Sequence, residues 1–228
     1  MLLEVIAETL EDAKEAEQGG AGRIELVREL ARGGLTPPLA LIEAVVKAVR
    51  IPVRVMLRDS ERFELRDAGE PGRLHAAARD AHARGADGFV AGFLRGGAPD
   101  LATTQEVMGA LASPVTFHRA FDDAADPLGA LSVLASEARI DRVLTSGGWG
   151  EWPARFARLK ALRLAAPPHL TVLPGGGIDE EALCALAAAG FPEAHVGRAA
   201  RVPADPLGRV RAIRVATLVA LATSAADP

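Results

Sequence analysis

The chain has 228 residues, of which 49% are hydrophobic and 25% are charged. This composition excludes global disorder, and the length suits one domain, because α/β barrels commonly use about 200 to 250 residues as a single unit. The formal net charge of -4, without any block of like charge, argues against a nucleic-acid or anionic-membrane partner and favours a small-molecule ligand. The single cysteine, Cys184, excludes an intramolecular disulfide and a cysteine-only metal centre.

The two ends of the chain carry no predicted export or membrane signal. The first residues place an acid, Glu4, where a signal peptide has a basic region, and the late apolar stretch 213–222 is interrupted by Arg214. That stretch is about half the ~20 residues needed to span a bilayer, so it predicts a packed helix. We expect a cytoplasmic protein with one domain over residues 1–223 and a disordered tail over residues 224–228.

In chain order, β-branched runs alternate with segments of helical period. The predicted strands are 2–7, 23–27, 53–58, 88–92, 115–119, 142–146, 171–174 and 194–198. Residues that cap or begin helices stand between several of them, namely Thr9, Thr36, Asp126, Asp179 and Asp205. Eight strand–helix units predict parallel pairing with right-handed crossovers and hence a single (β/α)8 TIM-type barrel. A doubly wound open sheet is the alternative, but no Gly-x-Gly-x-x-Gly follows the first strand.

The alternation within the strands predicts an unusually polar barrel interior. Its inward-facing side chains are Glu4, Glu25, Arg54, Arg58, His118 and His195. An isolated buried charge is costly and persists only where it is paired or used. One interpretation is structural, with Glu4 and Glu25 paired to Arg54 and Arg58. The other is an acid–base site in which Glu4, Glu25 and His118 are catalytic.

A second group of residues predicts a polar ligand site at the C-terminal mouth of the barrel, where barrel enzymes keep their chemistry. Glycines at the end of strand seven would let backbone N–H groups approach a phosphate or carboxylate. Hydroxyl groups at the end of strand six offer further donors to the same rim. The candidate ligand-binding residues are Arg58, Arg119, Asp122, Thr145, Ser146, Gly175, Gly176, Gly177 and His195.

Several stretches resemble the copper homeostasis protein CutC family. They are LEV at 3–5, GGAGRIEL at 19–26, GGLTP at 33–37, GADG at 85–88, VTFHRAFD at 115–122, LTSG at 144–147 and PGGGI at 174–178. The resemblance implies a cytoplasmic TIM barrel that forms a homo-oligomer, with a homodimer expected, and that binds copper as its cofactor or cargo.

The sequence departs from the family pattern where copper ligands are expected. Family members commonly carry a cysteine after LEV and another after IEL, and here those positions hold Ile6 and Val27. Cuprous ion prefers thiolate or thioether ligands, so the remaining copper candidates are Met56, His118 and His195. The loop after strand three, 58–64, also differs from the family's form.

Three functions therefore stay open. The first is a copper-binding homeostasis protein. The second is an isomerase, lyase or aldolase-type enzyme acting on a small phosphorylated or carboxylated compound, with Glu4 or Glu25 as base, His118 as its acid partner, and Arg58 and Arg119 holding the anion. In one variant a divalent metal is bound by Glu4, Glu25, His118 and His195. No lysine lies on a predicted strand, which disfavours a Schiff base. The third function is a structural role, against which the polar interior argues.

Overall fold

A computed structural model describes residues 1–225 of the chain. Its main strands are β1 (Leu2–Ala7), β2 (Arg23–Leu26), β3 (Val53–Met56), β4 (Gly88–Ala91), β5 (Val115–Phe117), β6 (Ile140–Thr145), β7 (Thr171–Pro174) and β8 (Glu193–Val196). Its helices are α1 (Leu10–Gln18), α2 (Leu39–Ala48), α3 (Glu70–His82), α4 (Leu101–Met108), α5 (Pro127–Ala135), α6 (Trp152–Ala165), α7 (Glu180–Ala188) and α8 (Ala212–Ser224). Two small antiparallel hairpins, within 94–99 and 201–210, follow β4 and β8.

The eight main strands form a nearly closed parallel barrel. Each strand from β1 to β6 is hydrogen-bonded to the next one along the chain. The last strand, β8, pairs with β1 and lies against β7. An open doubly wound sheet does not bring the first and last strands together. The prediction of a (β/α)8 barrel is therefore confirmed.

The apolar residues form two layers separated by the strands. Outward-facing residues such as Val5, Ile24 and Phe89 pack against the helices in the main core. Inside the barrel a smaller cluster consists of Ile6, Val27, Met56 and Val90. We call this set the inner apolar cluster. Because every other strand residue points inward, the same short strands supply both layers.

Charged residues fill the N-terminal end of the barrel. Arg54 donates to both carboxylate oxygens of Asp141, at 2.6 and 2.5 Å. Arg142 donates to both oxygens of Glu193 at 2.7 Å, and Arg23 reaches the same carboxylate at 2.6 Å. Guanidinium–carboxylate pairs of this kind fix geometry as well as charge. We call these five residues the lower ion network.

Helix starts agree only in part with the predicted signals. Thr9, Asp126 and Asp179 each accept a hydrogen bond from a backbone N–H of the helix that follows. The prediction for Thr36 was wrong, because α2 begins three residues later and the Thr36 hydroxyl bonds the Arg58 backbone instead. The prediction for Asp205 was also wrong. Its carboxylate accepts from the N–H groups of 207 and 208 and tightens the 201–210 hairpin.

The last helix, α8, has 13 residues and buries Val215, Leu218 and Ala222 on one side. None of the helices in residues 1–225 is both long and apolar enough to cross a membrane. Helix α8 ends at Ser224, so the predicted tail overlaps the helix by one residue. Residues 226–228 of that predicted tail lie outside the described residues.

Candidate functional site

A cavity of about 610 Å³ opens at the C-terminal mouth of the barrel. Its wall combines titratable, cationic and apolar side chains from the ends of most strands. Of the predicted site residues, the wall includes Glu25, Met56, Arg58, His118, Arg119, Asp122, Gly176, Gly177 and His195. A smaller side cavity of about 200 Å³ shares Arg119, Asp122 and Gly176 with it and adds Ser146. The sequence thus brings most of its predicted ligand-binding residues to one place.

Glu4 lies beneath this cavity and holds His195. In the barrel register Glu4 stands opposite Arg23 on β2 and opposite His195 on β8. One carboxylate oxygen accepts from Arg23 Nε, and the other lies 2.7 Å from His195 Nδ1. Burial alone would raise the pKa of Glu4, but the Arg23 charge and the His195 contact outweigh it and hold that pKa well below its ordinary range. Glu4 is therefore an anion that takes the Nδ1 proton of His195 as a hydrogen bond and turns Nε2 toward the cavity.

Glu25 has the opposite electrostatic setting. Its side chain is buried in the cavity wall beside the inner apolar cluster, and Ile6 is its direct neighbour on β1. Its Oε2 lies 3.8 Å from His195 Nε2, and its Oε1 has no hydrogen-bond partner among the described residues. Burial is the largest effect and raises the pKa of Glu25 to about 7. A carboxyl group of this kind can both give and take a proton near neutral pH.

His195 is the imidazole that both carboxylates share. Burial opposes a charge on it, but the carboxylates of Glu25 and Glu4 outweigh burial and raise the pKa of His195. The arrangement is a carboxylate–imidazole–carboxyl line running from Glu4 to Glu25. Sequence reasoning made His118 the acid partner of the glutamates, and the geometry gives that position to His195.

His118 has a different environment. Its Nδ1 accepts the N–H of Ala120 at 3.2 Å, which leaves the proton on Nε2. Its ring packs against Gly92 and against Phe63, with ring centroids 5.2 Å apart in the second case. Burial and the nearby Arg58 charge lower the pKa of His118 to about 3. His118 is a neutral donor on the cavity wall.

Arg58 is held by backbone carbonyls and an aromatic ring. It donates to the carbonyls of Gly33 and Glu61, at 3.1 and 2.5 Å, and lies over the Phe63 ring at 4.6 Å. Its buried Nε has no partner among the described residues. Burial lowers the pKa of Arg58. The structural interpretation that paired Glu4 and Glu25 with Arg54 and Arg58 is not met. Arg54 reaches across the barrel to Asp141 in the lower ion network, Arg58 is bound to carbonyls, and Glu4 accepts from Arg23.

Asp122 joins the ends of β5 and β6. It accepts the hydroxyl of Thr145 at 2.5 Å and the hydroxyl of Ser146 at 2.7 Å, together with the Ser146 N–H. Arg119 Nε donates to the same carboxylate at 3.0 Å. Thr145 and Ser146 thus direct these donors at Asp122 and not into the main cavity. Asp122 therefore fixes the position of Arg119.

The glycines after β7 have separate tasks. Gly175 is buried, and a Cβ atom there would lie 2.5 Å from Leu144 Cδ1 and 3.0 Å from His195 Cδ2, so its absence makes room for the imidazole. Gly176 and Gly177 have φ of +82° and +81° and form part of the cavity wall. These values suit glycine and turn the chain sharply at the rim.

The donors present favour oxygen and nitrogen metal chemistry over thiolate chemistry. Carboxylate and imidazole atoms of Glu4, Glu25 and His195 lie within 4.8 Å of one another, so three of the four residues of the predicted divalent site come together. The positions of the missing thiols, Ile6 and Val27, are apolar wall residues, and Cys184 lies outside the barrel on α7. Cuprous ion favours soft ligands, of which the wall offers only the Met56 thioether among the described residues. The residues present do not fit a thiolate copper centre.

Some wall residues escaped prediction. Sequence reasoning places Arg23 inward but gives it no partner, since a strand pattern does not fix which neighbour it meets. Phe63 and Trp149 lie in loops, where no periodicity marks the direction of a side chain. Arg198 falls inside the predicted strand 194–198, but the strand ends at Val196 and Arg198 begins a short 3-10 helix. Its place two residues after β8, where barrels commonly bind phosphate, was the one available signal.

Comparison with known proteins gives one consistent result. The family model described as the CutC family matches residues 1–200. Copper homeostasis protein cutC homologs from Mus musculus and Homo sapiens are each 39% identical, over 80% of this chain and 67% of their own length. The solved CutC structure from Streptococcus agalactiae superposes with a TM-score of 0.78 at 26% identity, covering 86% of this chain and 98% of that one. With the barrel, the motifs and these matches in agreement, the chain belongs to the CutC family.

Proposed function

We propose that this protein is an acid–base enzyme that acts on a small anionic metabolite. The observation that carries the proposal is the Glu25 carboxyl group. It is buried in the cavity wall, its Oε1 lacks a partner in residues 1–225, and its other oxygen lies 3.8 Å from His195 Nε2. An unsatisfied buried polar atom costs about 1 to 3 kcal/mol. A polar substrate group bound at this point would recover that cost.

The two carboxyl groups of the Glu4–His195–Glu25 line have different roles in this proposal: Glu4 orients the imidazole, and Glu25 transfers protons. Glu4 stays ionised and fixes the imidazole with Nδ1–H toward itself, so that Nε2 exchanges protons on the cavity side. Glu25, with a pKa of about 7, takes a proton from the substrate or returns one. Arg58 Nε, the other buried polar atom of the wall without a partner in residues 1–225, would donate to a substrate oxygen on which negative charge develops. Proton abstraction next to a carbonyl group, as in an isomerase or lyase, matches this set.

Covalent catalysis through a lysine is disfavoured. The three lysines, Lys14, Lys47 and Lys160, lie on α1, α2 and α6, and none of them lines the cavity in the described part of the chain. A Schiff-base aldolase requires an amine in the pocket. Among the reactions open to an acid–base site, isomerisation and elimination therefore take precedence.

The test is proton exchange catalysed by the purified protein. A panel of small phosphorylated and carboxylated carbonyl compounds is incubated in D2O, and C–H exchange and product formation are followed by NMR. We expect Glu25→Gln to lower the rate by about 10² or more, because general acid–base groups contribute about 10² to 10⁴. The exposed Glu106→Gln is the matched control. A Glu25→Gln protein that exchanges protons as fast as the parent would refute the proposal.

Copper binding is the second candidate, supported by the names of the relatives and by three side chains of the cavity wall. Met56, His118 and His195 are the ligands that it would use. Purified apo protein is titrated with cuprous and cupric ions, with Ile6→Cys combined with Val27→Cys as the thiol-bearing comparison. Saturable binding lost in Met56→Leu or His195→Asn supports this candidate. Copper affinity that is unchanged when each of the three side chains is replaced rejects this candidate.

Two further properties rest on the family resemblance alone. We propose that the chain forms a homodimer and that it resides in the cytoplasm. Light scattering after size exclusion tests the first, and fractionation of cells that express the full chain tests the second. A monomer at micromolar concentration, or recovery outside the cytoplasmic fraction, would reject the respective proposal.

A further inference from the structure

We propose that the substrate is a phosphomonoester, and that its phosphate is bound between Arg119 and Arg198 above the Gly176–Gly177 turn. This inference rests on the proposed function, since it names the substrate class for the same cavity. It depends on a different part of the wall from the Glu25–His195 pair.

The turn formed by Gly176 and Gly177 is the backbone part of the proposed phosphate site. Gly176 and Gly177 both line the cavity, and their N–H groups have no backbone acceptor among the described residues. Both residues have positive φ, and a turn that leaves successive N–H groups without protein acceptors can offer them to an anion. Neither residue has a side chain to fill that space. The start of α7 contributes little, because Glu180 and Glu181 make it acidic.

Two arginine side chains, Arg119 and Arg198, lie next to the turn. A Cβ atom at Gly176 would lie 3.0 Å from Arg119 Nε, and one at Gly177 would lie 3.4 Å from Arg198 Nη2. The guanidinium groups of Arg119 and Arg198 therefore lie beside the turn, in the space that a side chain at Gly176 or Gly177 would enter. Arg119 is held in place by Asp122 through Nε. Arg198 has no carboxylate partner within 4 Å in residues 1–225.

The wall carries the three arginines Arg58, Arg119 and Arg198 together with the acidic residues Glu25, Asp122 and Asp123. Glu25 faces His195, and Asp122 is already satisfied by Arg119 and two hydroxyl groups. Arg198 has no carboxylate within 4 Å in residues 1–225, so an anion bound beside it would balance its charge.

The choice of phosphate over carboxylate follows from the number and direction of the donors. One guanidinium satisfies a planar carboxylate through two parallel hydrogen bonds. Here two guanidinium groups lie beside a turn whose two backbone N–H groups have no backbone acceptor in residues 1–225. The phosphate of a monoester has three free oxygens in a tetrahedral arrangement, so it can accept hydrogen bonds from more of these donors than a planar carboxylate can.

The experiment measures binding of inorganic phosphate by calorimetry at low ionic strength. We expect Arg198→Gln to weaken phosphate binding about tenfold or more, because hydrogen bonds between charged groups are the strong ones. Arg198→Lys, which keeps the charge and loses the fork, should recover part of the affinity. Arg50→Gln removes an exposed cation at the opposite, N-terminal end of the barrel and is the charge control. Urea unfolding checks that each variant is folded.

The outcomes separate this inference from the proposed function. Equal phosphate affinity in Arg198→Gln and Arg50→Gln would overturn the site, and malonate binding as tight as phosphate would overturn the choice of ligand. If phosphate binding depends on Arg198 while Glu25→Gln leaves proton exchange intact, the phosphate site stands and the acid–base proposal fails.

Discussion

The strongest single prediction concerns the pH dependence of stability in Glu25→Gln. Burial raises the pKa of Glu25 from its ordinary value of 4.5 to about 7. The folded state thus binds this proton more tightly than the unfolded chain does. The resulting stability is fully present below about pH 4.5 and is lost as the pH rises toward 7. At about 1.4 kcal/mol per tenfold change in proton affinity, the full difference is about 3 kcal/mol.

Glutamine occupies the same volume and carries no proton that titrates. We therefore expect the free energy of unfolding of Glu25→Gln, relative to the parent, to rise by about 2 to 3 kcal/mol between pH 5 and pH 8. Urea unfolding at several pH values measures it, with Glu106→Gln as the exposed control. The same comparison in chains that carry His195→Asn separates the titration of Glu25 from that of the neighbouring imidazole.

One result would refute this reasoning. If the difference between Glu25→Gln and the parent stays constant within about 0.5 kcal/mol from pH 5 to pH 8, Glu25 behaves as a surface carboxylate. The inner apolar cluster would then not exclude water from it. The electrostatic basis of the acid–base proposal would fail with it.

Three further predictions test the surroundings of the site. Arg23→Gln leaves the Glu4 carboxylate buried without its cation, so we expect a loss of about 3 kcal/mol or more in urea unfolding, partly restored by Glu4→Gln in the same chain. Gly175→Ala places a methyl group 2.5 Å from Leu144 and 3.0 Å from His195, which should cost about 1 to 3 kcal/mol; an unchanged Tm would contradict the packing. Burial and the Arg58 charge lower the pKa of His118 to about 3, so its Cε1–H resonance should not move between about pH 4.5 and pH 8, and a titrating signal that disappears in His118→Gln would prove this wrong.

The fold followed from the sequence because its signals are periodic and repeated. The bounds predicted for the first and seventh strands agree with the structure, and the other six differ only at their ends. The inward direction predicted for Glu4, Glu25 and His195 agrees with their burial. Alternation along a strand fixes the face of each residue, and it needs no knowledge of the neighbouring strands.

Partners across the barrel could not be read in the same way. Arg54 reaches across the interior and donates to both carboxylate oxygens of Asp141 rather than to a glutamate. Which residues stand at one height depends on the stagger of all eight strands, and a single sequence does not state it. Loop residues such as Phe63 and Trp149 follow no period at all. The strand residues of the candidate site were therefore predictable, whereas its loop residues and the pairing of its side chains were not.

The contrast between Glu4 and Glu25 links these levels. Both are glutamates on adjacent strands, both are buried, and both face His195. Glu4 lies opposite Arg23 of the lower ion network, and the charge of Arg23 lowers the pKa of Glu4. Glu25 lies closer to the mouth of the barrel, opposite Ile6. No arginine or lysine is hydrogen-bonded to it among the described residues, and burial raises its pKa. The lower ion network thus keeps one carboxylate ionised, and the inner apolar cluster keeps the other near neutrality. The two positions at which the family resemblance implies thiols hold members of that cluster, Ile6 and Val27. Apolar side chains there offer no soft copper ligand, and they also exclude water from the environment that the proposed acid–base Glu25 requires.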